Sequence, residues 1–485
     1  MTQIQKHKSH APLYLMLITL PLALGAAYFI AQSYTTSIAY LVVIGILGFA
    51  VSLFSILFPV FGFYFTIIVS FFIFDIIRFL RVDMPVGSIV DAMMFLTFLG
   101  VLLNKLIRKE SLWKNCRSPI VFLYLLLILY TIIEIFNPNG GSLVLYFLII
   151  RRVITLFLFF YCAIQIFSEL RDIHQFFKIF LVFSLIAALY ACYTEWFGLP
   201  KYEMDYILAN PLGEKLASLD NGNYRKASFL SDCTAFGLIM SASAAIMLAF
   251  LLELKNSFYT KLLFVLSIIF TLLAMSYTGT RTAIIMFIME IALYIMMTLN
   301  NTKTIIFSGI FIAFVVIIVF GPIYGNTTIN RIRTSFLFSK EESMKVRDVN
   351  RHSIQPYIYD HPIGGGLGTT GLISVEYNPN HPLAGFPTDS SLLRIALEYG
   401  WVGLLLQCLI YFIILQQGIS AYFRSNNRQN KTLILASTMG LFGYIVAQYS
   451  QVAIGPIPGA FLFFALVAII IRLRQMDQST PFFQQ

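Results

Sequence analysis

Runs of about eighteen or more mostly apolar residues recur from Leu13 almost to the end of this chain, and each can cross a bilayer as a helix. No other feature restricts the fold so tightly. In hydrocarbon the backbone must satisfy its own polar groups, which leaves only helices and closed barrels. Barrel strands would read as short segments of alternating polarity, and that pattern is absent. The expected fold class is therefore all-α, a polytopic membrane helix bundle. Composition agrees, because hydrophobic residues make up 58% of the chain and charged ones 12%, against about 45–50% and about 25% in soluble domains. The five cysteines (Cys116, Cys162, Cys192, Cys233, Cys408) are scattered without a CxxC pair, so neither a disulfide framework nor a zinc site is expected.

About fourteen spans are expected: 13–31, 38–57, 60–76, 87–104, 119–136, 143–167, 176–197, 232–252, 261–277, 282–299, 304–321, 391–415, 432–451 and 455–472. The first follows Lys6 and Lys8 like a signal peptide, but with so many spans behind it an uncleaved helix is expected. Pro59 divides the 38–76 stretch, which is too long for one helix. An even count puts both termini on one side. The short loops of that side carry Lys105, Arg108, Lys109, Lys114, Arg117, Arg171, Lys178, Lys255, Lys261, Lys303, Arg424, Arg428 and Lys431, whereas those opposite carry Arg78, Arg81 and Arg281. The positive-inside rule makes the termini cytoplasmic. It also accounts for the net charge of +10. No basic face is left for a nucleic acid.

Two long loops, 198–231 and 322–390, then lie outside and break the charge bias. Long loops translocate regardless of charge, so their cations are either incidental or gathered around an anionic ligand. Arginine suits phosphate because its planar fork makes paired, charge-assisted hydrogen bonds. Four elements stand out. Arg281 sits between two spans in Ser276-Tyr277-Thr278-Gly279-Thr280-Arg281-Thr282, either snorkelling to lipid headgroups or holding an anion with its threonines. Arg225 and Lys226 precede the span that opens near Asp232. Arg347 and Arg351, four residues apart, share a helix face, beside Asp360-His361-Pro362-Ile363-Gly364-Gly365-Gly366-Leu367-Gly368. Pro362 and the glycines should end that helix in a turn that only glycine tolerates. Asp389 stands where it would cap a long apolar helix, or where a carboxylate could accept a hydroxyl proton. Intramembrane charges at Arg151, Arg152, Asp91, Glu134, Glu195 and Glu290 mark function by default, but salt bridges within the bundle, Arg151 or Arg152 with a glutamate, explain them about as well.

In order and spacing, these elements resemble the O-antigen ligase/polymerase family of bacterial envelope glycosyltransferases. The similarity covers residues 220–410 and rests on Arg225, Thr280-Arg281-Thr282-Ala283, Asp360-His361-Pro362-Ile363-Gly364 with its glycine run, and Gly400/Gly403. It implies a GT-C-like bundle in three parts: N-terminal spans (1–219), a core with the extracytoplasmic loop (220–410), and C-terminal spans with a tail (411–485). It further implies an inner-membrane enzyme that moves glycan from an undecaprenyl-type polyprenyl-diphosphate donor to an acceptor hydroxyl, with no metal, nucleotide sugar or other cofactor. A chain-length regulator is a candidate partner.

On this resemblance Arg225, Arg281, Arg347 and Arg351 would bind the diphosphate and Asp389 would be the catalytic base. His361, His381, Gly364 and Gly366 are candidate substrate contacts. Ligases carry a His, then Asn, Ser or Gln, nine residues, and Gly-x-x-Gly. Ser390, residues 391–399, Gly400 and Gly403 fit, but Asp389 holds the His position. The expectation therefore leans to a repeat-unit polymerase over a ligase. A transporter of lipid-linked sugars is the reading from another class. His381 could replace the missing histidine only after loop rearrangement.

Overall fold

The structure is a computed structural model that describes residues 36–81, 86–209, 214, 217–218, 224–254, 257–321, 333 and 342–479. The expected first span, 13–31, and Arg331 lie outside these residues. The described residues form helices with no strand among them; only isolated bridges such as Gly371–Ala384 occur. In chain order the helices are α1 (Thr36–Leu57), α2 (Pro59–Leu80), α3 (Val86–Ile107), α4 (Pro119–Ile133), α5 (Leu143–Ile166), α6 (Leu170–Phe197), α7 (Lys201–Leu208), α8 (Cys233–Glu253) and α9 (Phe258–Tyr277). They continue as α10 (Arg281–Thr298), α11 (Thr302–Phe320), α12 (Glu342–Asp360), α13 (Leu372–Tyr377), α14 (Ser391–Glu398), α15 (Gly400–Arg424), α16 (Arg428–Ala447) and α17 (Gly459–Ser479). Eleven helices of the described residues are long and apolar enough to cross a membrane. This is a multi-pass membrane protein.

Two compact units divide the chain. The smaller unit contains α1, the first part of α2 and most of α3. Its helices approach through small residues: a side chain at Gly62 would meet Thr97 Oγ1 at 2.5 Å and Ser55 Cβ at 2.9 Å. The chain breaks at Phe58, and Pro59 opens α2. Proline fits the first turn of a helix, where its missing N–H costs nothing.

The larger unit centres on α8, α16 and α17, whose residues are almost all buried. The Ser241-Ala242-Ser243-Ala244-Ala245 stretch of α8 is fully buried. Small side chains let backbones close in where lipid gives no hydrophobic drive. Phe159 of α5 stacks on Phe461 of α17 at 4.3 Å. By contrast α11 buries only Thr304 among its residues and forms the rim.

Starts are capped as their sequences predict. Asp232 accepts from Ala235 N at 2.8 Å to begin α8, and Ser118 and Ser142 cap α4 and α5. One expected span needs correction. Residues 391–415 do not form a single helix, because α14 ends at Glu398 and α15 begins at Gly400. Gly400 takes φ +64°, and a Cβ there would lie 2.2 Å from the Pro362 carbonyl. The glycine-rich loop after α12 occupies the space that a continuous helix would need.

Candidate active site

The 224–228 segment is tied down to the α9–α10 junction. Arg225 donates from Nε to the Thr278 carbonyl at 2.8 Å and from Nη2 to Thr280 Oγ1 at 3.0 Å. Lys226 is buried and pairs with Glu195 at 3.4 Å. The pair is therefore not a solvated loop doublet. Thr280 Oγ1 also donates to the Cys233 carbonyl at 3.3 Å. One hydroxyl thus joins Arg225 to the start of α8, and the next residue, Arg281, opens α10.

From there a closed circuit of contacts leads to the other predicted residues. Thr282 Oγ1 lies 3.0 Å from Ser450 Oγ in the turn after α16. The preceding residue, Tyr449, holds Arg351 three ways: its hydroxyl accepts from Nη1 at 2.8 Å, its carbonyl accepts from Nη2 at 3.0 Å, and its ring faces the guanidinium at 4.5 Å. One turn back on α12, Arg347 Nε meets Asp389 Oδ2 at 3.2 Å. Ser390 Oγ then donates to the Gln448 carbonyl at 3.2 Å, which also accepts from Ser391 N at 3.1 Å. The fold thus gathers Arg225, Arg281, Arg347, Arg351 and Asp389 around two turns, 278–282 and 448–450.

The cap reading of Asp389 is corrected here. Ser390 is the N-cap of α14, its Oγ accepting from Leu393 N. Asp389 is 43% exposed, and its contact is with Arg347. The helix does not use this carboxylate as a cap. An ion pair this open contributes only about 0–1 kcal/mol to stability.

The glycine run ends α12 as expected, with Gly364, Gly366 and Gly368 at φ between +73° and +87°. Its donors turn inward. Gly364 N donates to His361 O, Gly365 N to Leu397 O at 2.7 Å, and Gly366 N to Glu398 O at 3.1 Å. These N–H groups brace the α14–α15 break and do not form an anion cradle. Glu398, itself buried, takes a bond from Arg394 Nε at 3.0 Å and one from Thr370 Oγ1.

The histidines are also held. His361 stacks on Tyr357 at 3.9 Å, with Nδ1 3.0 Å from the Tyr357 carbonyl. His381 Nδ1 accepts from Leu383 N at 3.1 Å and Nε2 faces the Asn139 carbonyl at 3.1 Å. That pattern assigns the neutral Nε2–H tautomer and leaves neither nitrogen for a substrate. Arg333 caps the end of α11 through the Ile318 carbonyl at 2.8 Å and the Gly321 carbonyl.

Sequence reasoning missed the turn after α16. Gln448, Tyr449 and Ser450 were absorbed into the expected span 432–451, yet they form the hub of the circuit. Tyr-Ser-Gln followed by Gly455-Pro456-Ile457-Pro458 was the available signal. Arg152 of α5 donates to the Gly455 carbonyl in this same connection. Beside the hub lies an apolar cavity of about 170 Å³, reached by Ser391, Gln448, Ile395, Tyr411 and Gly455.

No curated protein matches the chain. Residues 264–408 match the family model described as O-Antigen ligase, a stretch that contains Arg281, Arg347, Arg351, His361, His381 and Asp389 but neither Arg225 nor the Gln448–Ser450 turn. The core that carries most of the circuit is therefore similar to the O-antigen ligase/polymerase family of membrane glycosyltransferases.

Proposed function

We propose that this protein is a repeat-unit polymerase of a surface polysaccharide, working at the outer face of a bacterial inner membrane. The donor is a glycan on a polyprenyl diphosphate. Arg225, Arg281, Arg347 and Arg351 bind that diphosphate. The acceptor sugar hydroxyl attacks the anomeric carbon, the bond to the diphosphate breaks, and the hydroxyl proton passes to Asp389. The leaving group gains charge as it departs, and fixed arginines stabilise it there without reorganising. The apolar cavity beside Ser391 suits the first part of a polyprenyl chain.

The observation that carries this reading is the circuit joining Arg347–Asp389 to Arg351–Tyr449 and, through Ser450, to Thr282, the chain neighbour of Arg281. Polymerase is favoured over ligase because Asp389 stands where ligases carry histidine. His381 cannot take its place while both ring nitrogens are engaged. The family match, described as a ligase, favours transfer of the finished glycan to a lipid A core or protein hydroxyl as the second reading.

Deleting the gene in its native host separates the two. Polymerase predicts single repeat units on the surface and no long chains. Long chains stranded on the polyprenyl lipid would mean ligase. Unchanged pools would remove both readings.

A further inference from the structure

The far end of the same helices holds a second assembly of charge. The ends of α8, α10 and α15 meet the start of α16 around a polar cavity of about 310 Å³. Glu253, Tyr422, Arg428 and Lys431 line it. Arg428 is fixed by two bonds, Nε and Nη2 at 3.0 and 2.8 Å, to the backbone carbonyl of Glu253. Lys431, one turn along α16, places its ammonium 4.7 Å from the centre of the Tyr422 ring. Glu253 Oε1 accepts from Tyr294 at 2.9 Å.

The cavity therefore collects two cations and a carboxylate, each held in place by a neutral group. None of the three forms an ion pair with another described residue. Charges that line one cavity without forming an ion pair leave an anion site and a cation site on the same walls. Phe423, which lines the cavity, is 60% exposed, and Met296 and Leu299, chain neighbours of the lining residues Met297, Thr298 and Asn300, are 69% and 51% exposed. At the end of a membrane helix such side chains face acyl chains.

We propose that this cavity binds the headgroup of a zwitterionic phospholipid with a primary ammonium, its phosphate held by Arg428 and Lys431 and its ammonium by Glu253. Two cations alone would select any anionic lipid. The carboxylate adds the discrimination, because a primary ammonium donates hydrogen bonds to it, a trimethylated one cannot, and a glycerol headgroup brings no charge. The site lies a helix length from the arginine circuit, and the proposal does not depend on the reaction performed there.

The test is native mass spectrometry of the full-length protein in detergent, titrated with phosphatidylethanolamine, phosphatidylcholine and phosphatidylglycerol. Wild type should retain phosphatidylethanolamine about tenfold more tightly than the other two. Glu253→Gln should abolish the preference over phosphatidylglycerol while leaving that lipid bound. Arg428→Gln with Lys431→Gln should weaken all three. Equal retention of the three lipids by wild type overturns the proposal and needs no variant. Equal affinity for soluble phosphoethanolamine overturns the membrane source of the ligand.

Discussion

The two ends of the central helices handle charge in opposite ways. At the start of α8 and α10 and the end of α16, cations are woven into a circuit: Arg225 on Thr280, Arg351 on Tyr449, Arg347 on Asp389. At the other end of the same helices, Arg428, Lys431 and Glu253 surround a cavity, and none of them forms an ion pair with another described residue. The helices between are apolar, and α8 at 21 residues spans roughly 30 Å. The difference fits the two roles proposed above. A circuit that fixes its arginines in advance suits a charge that appears during a reaction, whereas unpaired charges suit a resident ligand.

The largest predicted effect breaks the circuit at its acid. Asp389→Asn keeps the size and a hydrogen bond to Arg347 but cannot take a proton, and should lower polymer formation by about 10²–10⁴-fold. Asp389→His should recover part of that loss. Both are read as glycan length in cells matched for protein level. Arg281→Ala should cost about 10²–10³-fold by the same readout; full polymer length would remove Arg281 from the site.

Smaller effects test the scaffold. Gly400→Ala places a Cβ against the Pro362 carbonyl at a left-handed φ, so it should lower stability by more than about 1 kcal/mol, measured as a melting shift. Tyr449→Phe removes one of three holds on Arg351 and should reduce turnover only a few-fold, about what a net 0.5–1.5 kcal/mol bond implies.

The smallest effect lies outside the circuit. Glu203 is buried beneath Tyr190 and Tyr202, at 2.7 and 3.2 Å. Burial pushes its carboxyl above the ordinary value, while bonds from Tyr190 and Tyr202 and the nearby Arg78 oppose the shift. A raised folded pKa means the native state binds more protons, so stability is full at low pH and falls as pH rises from the ordinary value through the raised one. Glu203→Gln should flatten that fall in a pH series of melting temperatures.

Much of the fold was legible because hydrocarbon permits so few structures. Pro59 marked a real break, and the span expected to open near Asp232 starts at Cys233. Local chemistry misled at Asp389, because Asp and Ser cap equally well and only tertiary placement decided for Ser390. The break at Gly400 was hidden for a related reason: its cause is Pro362, far off in sequence. The glycine run revealed its conformation but not its partners, since the N–H groups of Gly365 and Gly366 bond carbonyls of α14. Tyr449 could not be found by periodicity, because a turn ending an apolar helix continues the same pattern.

The most direct test is transfer from a synthetic polyprenyl-diphosphate repeat unit by the purified protein, wild type against Asp389→Asn, with donor binding measured in the same samples. With Asp389 as the base, the variant should still bind donor through its arginines yet extend no chain. Chain extension at the wild-type rate would contradict that role.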